Sequence, residues 1–73
     1  MTDIFDIELG AWLESQRTEK GFTQAEVARR MGVTRTAVHC WEKGKRKLYA
    51  DVLMQYCDVC GINIQDFHFS HRW

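Results

Sequence analysis

The chemistry that stands out in this sequence is positive charge collected in one segment. Residues 17–47 contain nine Lys and Arg against three Glu, an excess of six positive charges. Residues 1–16 contain four carboxylates and no Lys or Arg, and residues 48–73 carry a net charge of −2. The formal net charge of zero therefore conceals a strongly cationic middle. A basic segment between two acidic ones is typical of a surface that contacts a polyanion.

A second set of residues has the chemistry of a metal site. It consists of Cys57, Cys60, His68 and His71, four side chains of the types that hold zinc. The span between the Cys pair and the His pair is short compared with common zinc fingers, and Cys packs well as a small buried hydrophobe. We therefore expect no metal and no cofactor, and we expect all three Cys to be reduced thiols.

Nucleophilic chemistry is not indicated. Cys40 follows His39 directly, but sequence neighbours on a helix point about 100° apart and do not face each other. A CxxC redox pair needs a surrounding βαβ pattern, which this sequence lacks. Because 73 residues contain no carboxylate pair, phosphate loop or nucleophile elbow, we expect the protein not to be an enzyme.

The elements that position these residues are predicted to be helices. Hydrophobic residues recur at helical spacing in four stretches, which Gly residues separate. We predict helices over roughly residues 5–19, 24–31, 35–43 and 49–60, and a short fifth helix capped by Asn63. Thr23 and Glu26 form a capping-box signature at the start of the second helix, and Thr34 is a natural cap for the third. The last seven residues alternate in a way that predicts an extended tail.

The second and third helices are short and are joined by a tight turn that contains Gly, which is the spacing of a helix-turn-helix. In such a motif the first helix crosses the DNA backbone and the second enters the major groove. The periodicity turns Val38 and Trp41 toward the core. It leaves Arg35, Thr36 and His39 facing outward, where they could reach base edges.

Three stretches carry a resemblance to a known family. TQAEVA at residues 23–28, GVTRTAV at 32–38 and WEKGK at 41–45 resemble the Xre/Cro-type helix-turn-helix family, which includes the phage repressors and Cro proteins. The resemblance extends over roughly residues 9–67. It implies an all-α, compact five-helix, lambda-repressor-like domain in residues 1–67, followed by a short tail at 68–73.

The resemblance also implies which residues contact DNA. Gln24 would bind a phosphate at the start of the second helix, and Arg35 and Thr36 would read bases at the start of the third. Arg17 and Glu42 match a pair that forms an ion pair in relatives, and Arg17 is also expected near a phosphate. Contact with bases or phosphate is expected of His39, and contact with the sugar-phosphate backbone of Thr34, Lys43, Lys45 and Arg46.

The sequence departs from the family pattern in several places. Cys40 stands where relatives often carry a longer polar side chain, and Trp41 replaces the usual aliphatic residue. The Pro that relatives often place after the position of Lys47 is missing. The aromatic tail has no counterpart in the pattern. Its Phe69 and Trp73 either fray as a chain terminus or pack on a partner subunit.

The functional expectation is a sequence-specific DNA-binding transcriptional regulator, most simply a repressor. We expect a homodimer on a palindromic operator, joined through the C-terminal third, because one copy has too few base contacts to select a site. The alternatives are an antitoxin or restriction-modification controller that represses its own operon, and a protein-interaction adaptor on the same fold. No membrane contact and no small-molecule ligand are expected, and the setting is a bacterial or phage-infected cytoplasm.

Overall fold

The computed structural model describes residues 3–69, which form four α-helices and a final 3₁₀ turn. The elements are α1 (Ile4–Glu19), α2 (Gln24–Met31), α3 (Arg35–Glu42), α4 (Ala50–Cys60) and the 3₁₀ turn Ile64–Asp66. Within residues 3–69 there is no β-strand, and no helix has the length and hydropathy needed to cross a bilayer. The all-α prediction is confirmed, and the four longer helices lie close to their predicted bounds.

The predicted short fifth helix is present only as a 3₁₀ turn. Asn63 does cap the segment, since its side-chain oxygen accepts a hydrogen bond from the Gln65 N–H at 3.0 Å. The 3₁₀ turn that follows is only three residues long, because Phe67 adopts an extended conformation with φ −80° and ψ 127°. The Phe67 N–H donates to the Ile64 carbonyl at 3.0 Å and closes the turn. Residues 3–69 therefore form four α-helices, with one 3₁₀ turn in place of the fifth.

Local signals explain where the two central helices begin and end. The Glu26 N–H donates to the Thr23 hydroxyl and the Thr23 N–H donates to the Glu26 carboxylate, each at 3.1 Å, so the capping box is complete. Gly32 ends α2 at φ 71°, in the left-handed region that glycine adopts without a Cβ clash. Two residues later the Thr34 hydroxyl accepts from the Ala37 N–H at 3.1 Å and starts α3.

The core lies between the four helices. Leu13 of α1, Val27 of α2, Val38 of α3 and Tyr56 of α4 have no exposed surface. Trp41 is also buried, as predicted, so α3 presents two inward residues one turn apart. This packing fixes α3 against α1 and α2 and leaves its opposite side in solvent.

Helix α1 approaches the end of α3 very closely at Gly10. A Cβ built on Gly10 would lie 2.3 Å from the carbonyl oxygen of Trp41 and 2.7 Å from that of Glu42. No side chain fits at this distance, so glycine permits the contact between the two helices. The last turn of α3 is thereby held directly against the backbone of α1.

The residues after the 3₁₀ turn pack on α1 of the same chain. The Phe5 ring makes edge contacts with Phe67 and Phe69, with ring centroids 5.8 and 5.2 Å apart. Trp12 meets Phe67 at 5.3 Å. Phe69 is half-buried, so the part of the tail up to residue 69 covers α1 rather than fraying. Trp73, the other aromatic residue predicted to fray or to pair with a partner subunit, lies outside the described residues.

Candidate nucleic-acid interface

The outward side of α3 presents the three side chains that the helical period predicts there. Arg35, Thr36 and His39 are exposed, whereas the two residues between Thr36 and His39 are buried. Together with Gln24 at the start of α2, these three residues line an open groove of about 330 Å³. The structure thus brings four of the predicted DNA-contacting residues to one surface.

A second open groove runs beside the start of α2. It has a volume of about 590 Å³ and is lined by Arg17, Thr18, Gly21, Phe22, Thr23, Gln24, Ala25 and Arg35. The N-terminal end of a helix carries partial positive charge, which favours an anion such as a phosphate. Gln24 and Arg35 line both grooves, so the start of α2 and the start of α3 form one continuous surface.

The loop after α3 supplies exposed positive charge. Lys43, Lys45 and Arg46 are all exposed. Lys43 also forms an ion pair with Glu14 of α1, with 3.2 Å between Nζ and Oε1. Lys45 and Arg46 form no ion pair with any residue of the 3–69 range, so their charges remain available to a phosphate.

Thr34 combines a structural bond with a place at the interface. Its side-chain oxygen accepts the hydrogen bond from the Ala37 N–H that caps α3. The residue is exposed, and the cap leaves the hydroxyl hydrogen unused. The sugar-phosphate contact predicted for Thr34 is therefore compatible with its role as a cap.

Behind this surface, Arg17 of α1 and Glu42 of α3 form a buried ion pair. Arg17 donates from Nε to Oε2 at 2.7 Å and from Nη2 to Oε1 at 3.0 Å. Its Nη1 donates to the carbonyl oxygen of Phe22 at 2.8 Å. The pair implied by the family resemblance is present. The phosphate contact also predicted for Arg17 stays a prediction. Arg17 lines the groove beside α2, but only 7% of its side chain is exposed and three of its five N–H groups already donate to the protein.

Two further side chains bind the same carboxylate. The Tyr56 hydroxyl donates to Glu42 Oε2 at 2.5 Å, and Gln24 Nε2 donates to Oε1 at 2.9 Å. One carboxylate therefore joins all four helices, since Arg17 lies on α1, Gln24 on α2 and Tyr56 on α4. Sequence reasoning placed Tyr56 only as a core aromatic residue. The sequence feature that could have indicated this bond is the Tyr56 hydroxyl, because the hydroxyl of a buried tyrosine needs a hydrogen-bond partner.

These bonds decide the charge state of Glu42. Burial raises the pKa of the carboxyl, but the hydrogen bonds from Arg17, Tyr56 and Gln24 outweigh it, so the pKa lies below the ordinary 4.5. The hydrogen bond to Glu42 raises the pKa of Arg17. Burial, followed by the bond to Glu42, raises the pKa of Tyr56. At neutral pH the cluster thus contains a carboxylate, a guanidinium and a neutral phenol.

The two Cys of the candidate zinc set lie in the core near the end of α4. Cys57 and Cys60 are both buried. Burial raises the pKa of the Cys57 thiol, and it raises that of Cys60 to about 11. No group of His, Cys, Asp and Glu in the described range has the geometry of a metal site, and His71 lies outside that range. The thiols pack as small hydrophobic groups.

The sequence profile of the helix-turn-helix family matches residues 13–67, which include all four helices except the first turns of α1. The chain belongs to the helix-turn-helix family. Its α2, the turn at Gly32 and α3 are the motif for which the family is named. The resemblance seen in the sequence is therefore confirmed.

Solved structures of two regulators are similar to this helix-turn-helix domain. The clp gene regulator ClgR from C. glutamicum superposes with a TM-score of 0.83 at 27% identity, over 90% of this chain and 85% of ClgR. The restriction-modification controller protein C.AhdI from Aeromonas hydrophila superposes with a TM-score of 0.80 at 24% identity, over 86% of this chain and 96% of C.AhdI. The second likeness concerns the fold alone. No curated protein sequence matches the chain.

Proposed function

We propose that this helix-turn-helix protein is a transcriptional repressor that binds a palindromic DNA operator as a homodimer. Membership of the family makes it a DNA-binding transcriptional regulator, and repression, the palindrome and the dimer are the parts proposed. The observation that carries the proposal is the setting of α3. One side is buried in the core, while Arg35, Thr36 and His39 are exposed on the helix that the basic loop follows.

Most of the affinity would come from phosphate contacts. Lys43, Lys45 and Arg46 follow α3 directly and are exposed, so they would contact the backbone on the flank of the groove that α3 enters. Each phosphate neutralised contributes about −0.9 to the slope of log affinity against log salt concentration. Three charged contacts in each subunit of a dimer give a slope of roughly −5.

Base recognition by one subunit is too weak to select a site. A bidentate contact of Arg35 with guanine would discriminate by about 1–3 kcal/mol. A two-fold dimer reads two half-sites about 34 Å apart and so doubles this discrimination. Tyr49, Met54 and Ile64 in the C-terminal third support an interface there, since they are 65%, 70% and 39% exposed.

Selection of bound duplexes from a random pool tests the proposal directly. We expect an enriched inverted repeat whose half-sites are separated by one helical turn. Arg35→Ala should relax the preference at one position of each half-site, whereas Lys45→Ala should weaken binding to all sequences alike. Addition of the protein to a promoter that carries the selected site should lower transcription in vitro.

The competing hypothesis is an adaptor that uses the same fold to bind a protein. The exposed Met54 and Tyr49 would then receive the partner. An unenriched pool, with wild type binding no duplex better than an unrelated duplex of equal length, would favour the adaptor. An enriched site without symmetry, bound by a monomer, would refute the dimer but not DNA binding.

A further inference from the structure

We infer that Tyr56 and Glu42 are positioning residues of the DNA interface, which set the orientation of the Gln24 side-chain amide. The inference rests on the proposed function, because it gives a residue of α4 a part in DNA binding. Tyr56 has no exposed surface and is unable to touch DNA itself. Its effect must therefore pass through Glu42 to Gln24, which lines the exposed groove.

The hydrogen bond between Glu42 and Gln24 has a defined direction. An ionised carboxylate only accepts hydrogen bonds, so the end of the Gln24 amide that meets Oε1 at 2.9 Å must be the NH₂ group. The second Nε2 hydrogen lies on the side of His39, whose Nδ1 is 3.5 Å away. The orientation of the amide is thus fixed from within the protein before DNA arrives.

Hydrogen bonds from three residues hold the Glu42 carboxylate in place. The Glu42 side chain has no exposed surface, and its two oxygens accept four hydrogen bonds, two from Arg17 and one each from Tyr56 and Gln24. Oε2 accepts from Arg17 Nε at 2.7 Å and from the Tyr56 hydroxyl at 2.5 Å. The Tyr56 hydroxyl lies 3.4 Å from the Leu13 carbonyl oxygen, which is farther than Glu42 Oε2. The hydroxyl therefore donates its hydrogen to Glu42. Without that hydroxyl, one of the bonds that set the carboxylate plane is lost.

The plane of the Glu42 carboxylate affects DNA affinity through Gln24. When Oε1 is fixed, Gln24 is held in one rotamer at the edge shared by the two grooves. If the carboxylate rotates, Gln24 becomes free, and DNA binding must then immobilise a flexible side chain. We expect a loss of affinity of about two- to tenfold for this reason.

One test observes the Gln24 side-chain amide by NMR in the absence of DNA. In uniformly ¹⁵N-labelled protein, the Gln24 side-chain amide should show a distinct resonance that exchanges slowly with water. Tyr56→Phe should move it toward the position of a solvated glutamine, because the ring remains but the hydroxyl is gone. Val52→Ala is the matched control, a truncation of a half-buried residue of α4 outside the network, and should leave the resonance in place. An unchanged Gln24 resonance in Tyr56→Phe would overturn the inference.

The other test is a double-mutant cycle with the selected duplex, with every variant shown to be folded by circular dichroism. Tyr56→Phe should weaken binding about two- to tenfold in the wild-type background and have no further effect in the Gln24→Ala background. Equal losses in both backgrounds would mean that Tyr56 acts only on the fold. If wild type binds no duplex, the proposed function fails, and the amide resonance still decides whether Tyr56 positions Gln24.

Discussion

Arg17 and Glu42 lie 25 residues apart in the sequence and join α1 to the last turn of α3 through two hydrogen bonds, 2.7 and 3.0 Å long. Both side chains are buried, so the pair lies where an unpaired charge would be costly. The same two helices also meet at Gly10, where backbone touches backbone. The end of α3 is therefore held to α1 by the buried ion pair and by the close backbone contact at Gly10. Mutations can test each contact separately.

Glu42→Gln should destabilise the domain by about 3–5 kcal/mol, because it leaves the Arg17 guanidinium buried without a counter-charge. The free energy of unfolding in urea, followed by circular dichroism, measures the effect. Lys43→Gln is the matched control, since it removes the exposed pair with Glu14 without changing a partner of Arg17, and it should cost less than about 1 kcal/mol. Equal losses of unfolding free energy in the two variants would show that the buried Arg17–Glu42 pair stabilises the fold no more than an exposed pair does.

The pKa of Glu42 predicts how the pair responds to acid. Because the folded pKa lies below the ordinary 4.5, the stabilisation is fully present above that value and is lost as the pH falls through the folded pKa. The ¹³C shift of the Glu42 side-chain carboxyl should therefore titrate below pH 4.5 in the folded protein. The free energy of unfolding of wild type should fall over the same range. A titration midpoint above 4.5 would mean that burial outweighs the hydrogen bonds from Arg17, Tyr56 and Gln24.

Gly10→Ala should destabilise the protein although alanine is the better helix former. In an exposed helix the exchange would stabilise by about 1 kcal/mol, but here the new methyl group meets the carbonyl oxygens of Trp41 and Glu42. We expect a net loss of about 2 kcal/mol or more, since α1 must move away from α3. Gly32→Ala is the comparison, with open space around it and a cost of about 1 kcal/mol from its positive φ alone. If Gly10→Ala proves the milder change, α1 can shift without loss.

The central helices could be predicted because their signals are local. The capping box of Thr23 and Glu26, the left-handed Gly32 and the cap at Thr34 each act within four residues, and all three are present in the structure. The outward placement of Arg35 follows from the helical repeat of 3.6 residues. Once the bounds of α3 are known, this repeat decides which of its residues face the core.

The contacts that escaped prediction join parts of the chain that are distant in sequence. Asn63 signals a helix start, but nothing near it reveals that Phe67 is drawn to Phe5 and Trp12 on α1. The bond between Tyr56 and Glu42 likewise depends on how α4 crosses α3. The Arg17–Glu42 pair was foreseen only through the family resemblance, since no local rule pairs these two charges.

Phe67→Ala should weaken the hold of the C-terminal segment on α1. Phe67 is half-buried and meets two aromatic rings, so the loss should be roughly 1–2 kcal/mol, less than for a fully buried Phe. Urea unfolding measures it, and His68→Ala, an exposed neighbour, should change little. The cost should not depend on protein concentration, because the contact lies within one chain. A loss that appears only at dimer-forming concentrations would assign Phe67 to the subunit interface instead.

Lys45→Gln should change the salt dependence of DNA binding and leave sequence preference intact. If each Lys45 neutralises one phosphate, a dimer loses two contacts, and the slope of log affinity against log salt concentration should become less negative by about 1.8. Lys47→Gln is the matched control, because it removes the same charge only two residues along the chain. The Nζ of Lys47 lies 3.9 Å from the Asp6 carboxylate, so this side chain already has a partner within the protein. Gel shifts on the selected duplex at a series of salt concentrations give both slopes. An equal change in the two variants would indicate that the loop acts through its overall field, because a direct contact depends on position whereas a screened field depends mainly on charge.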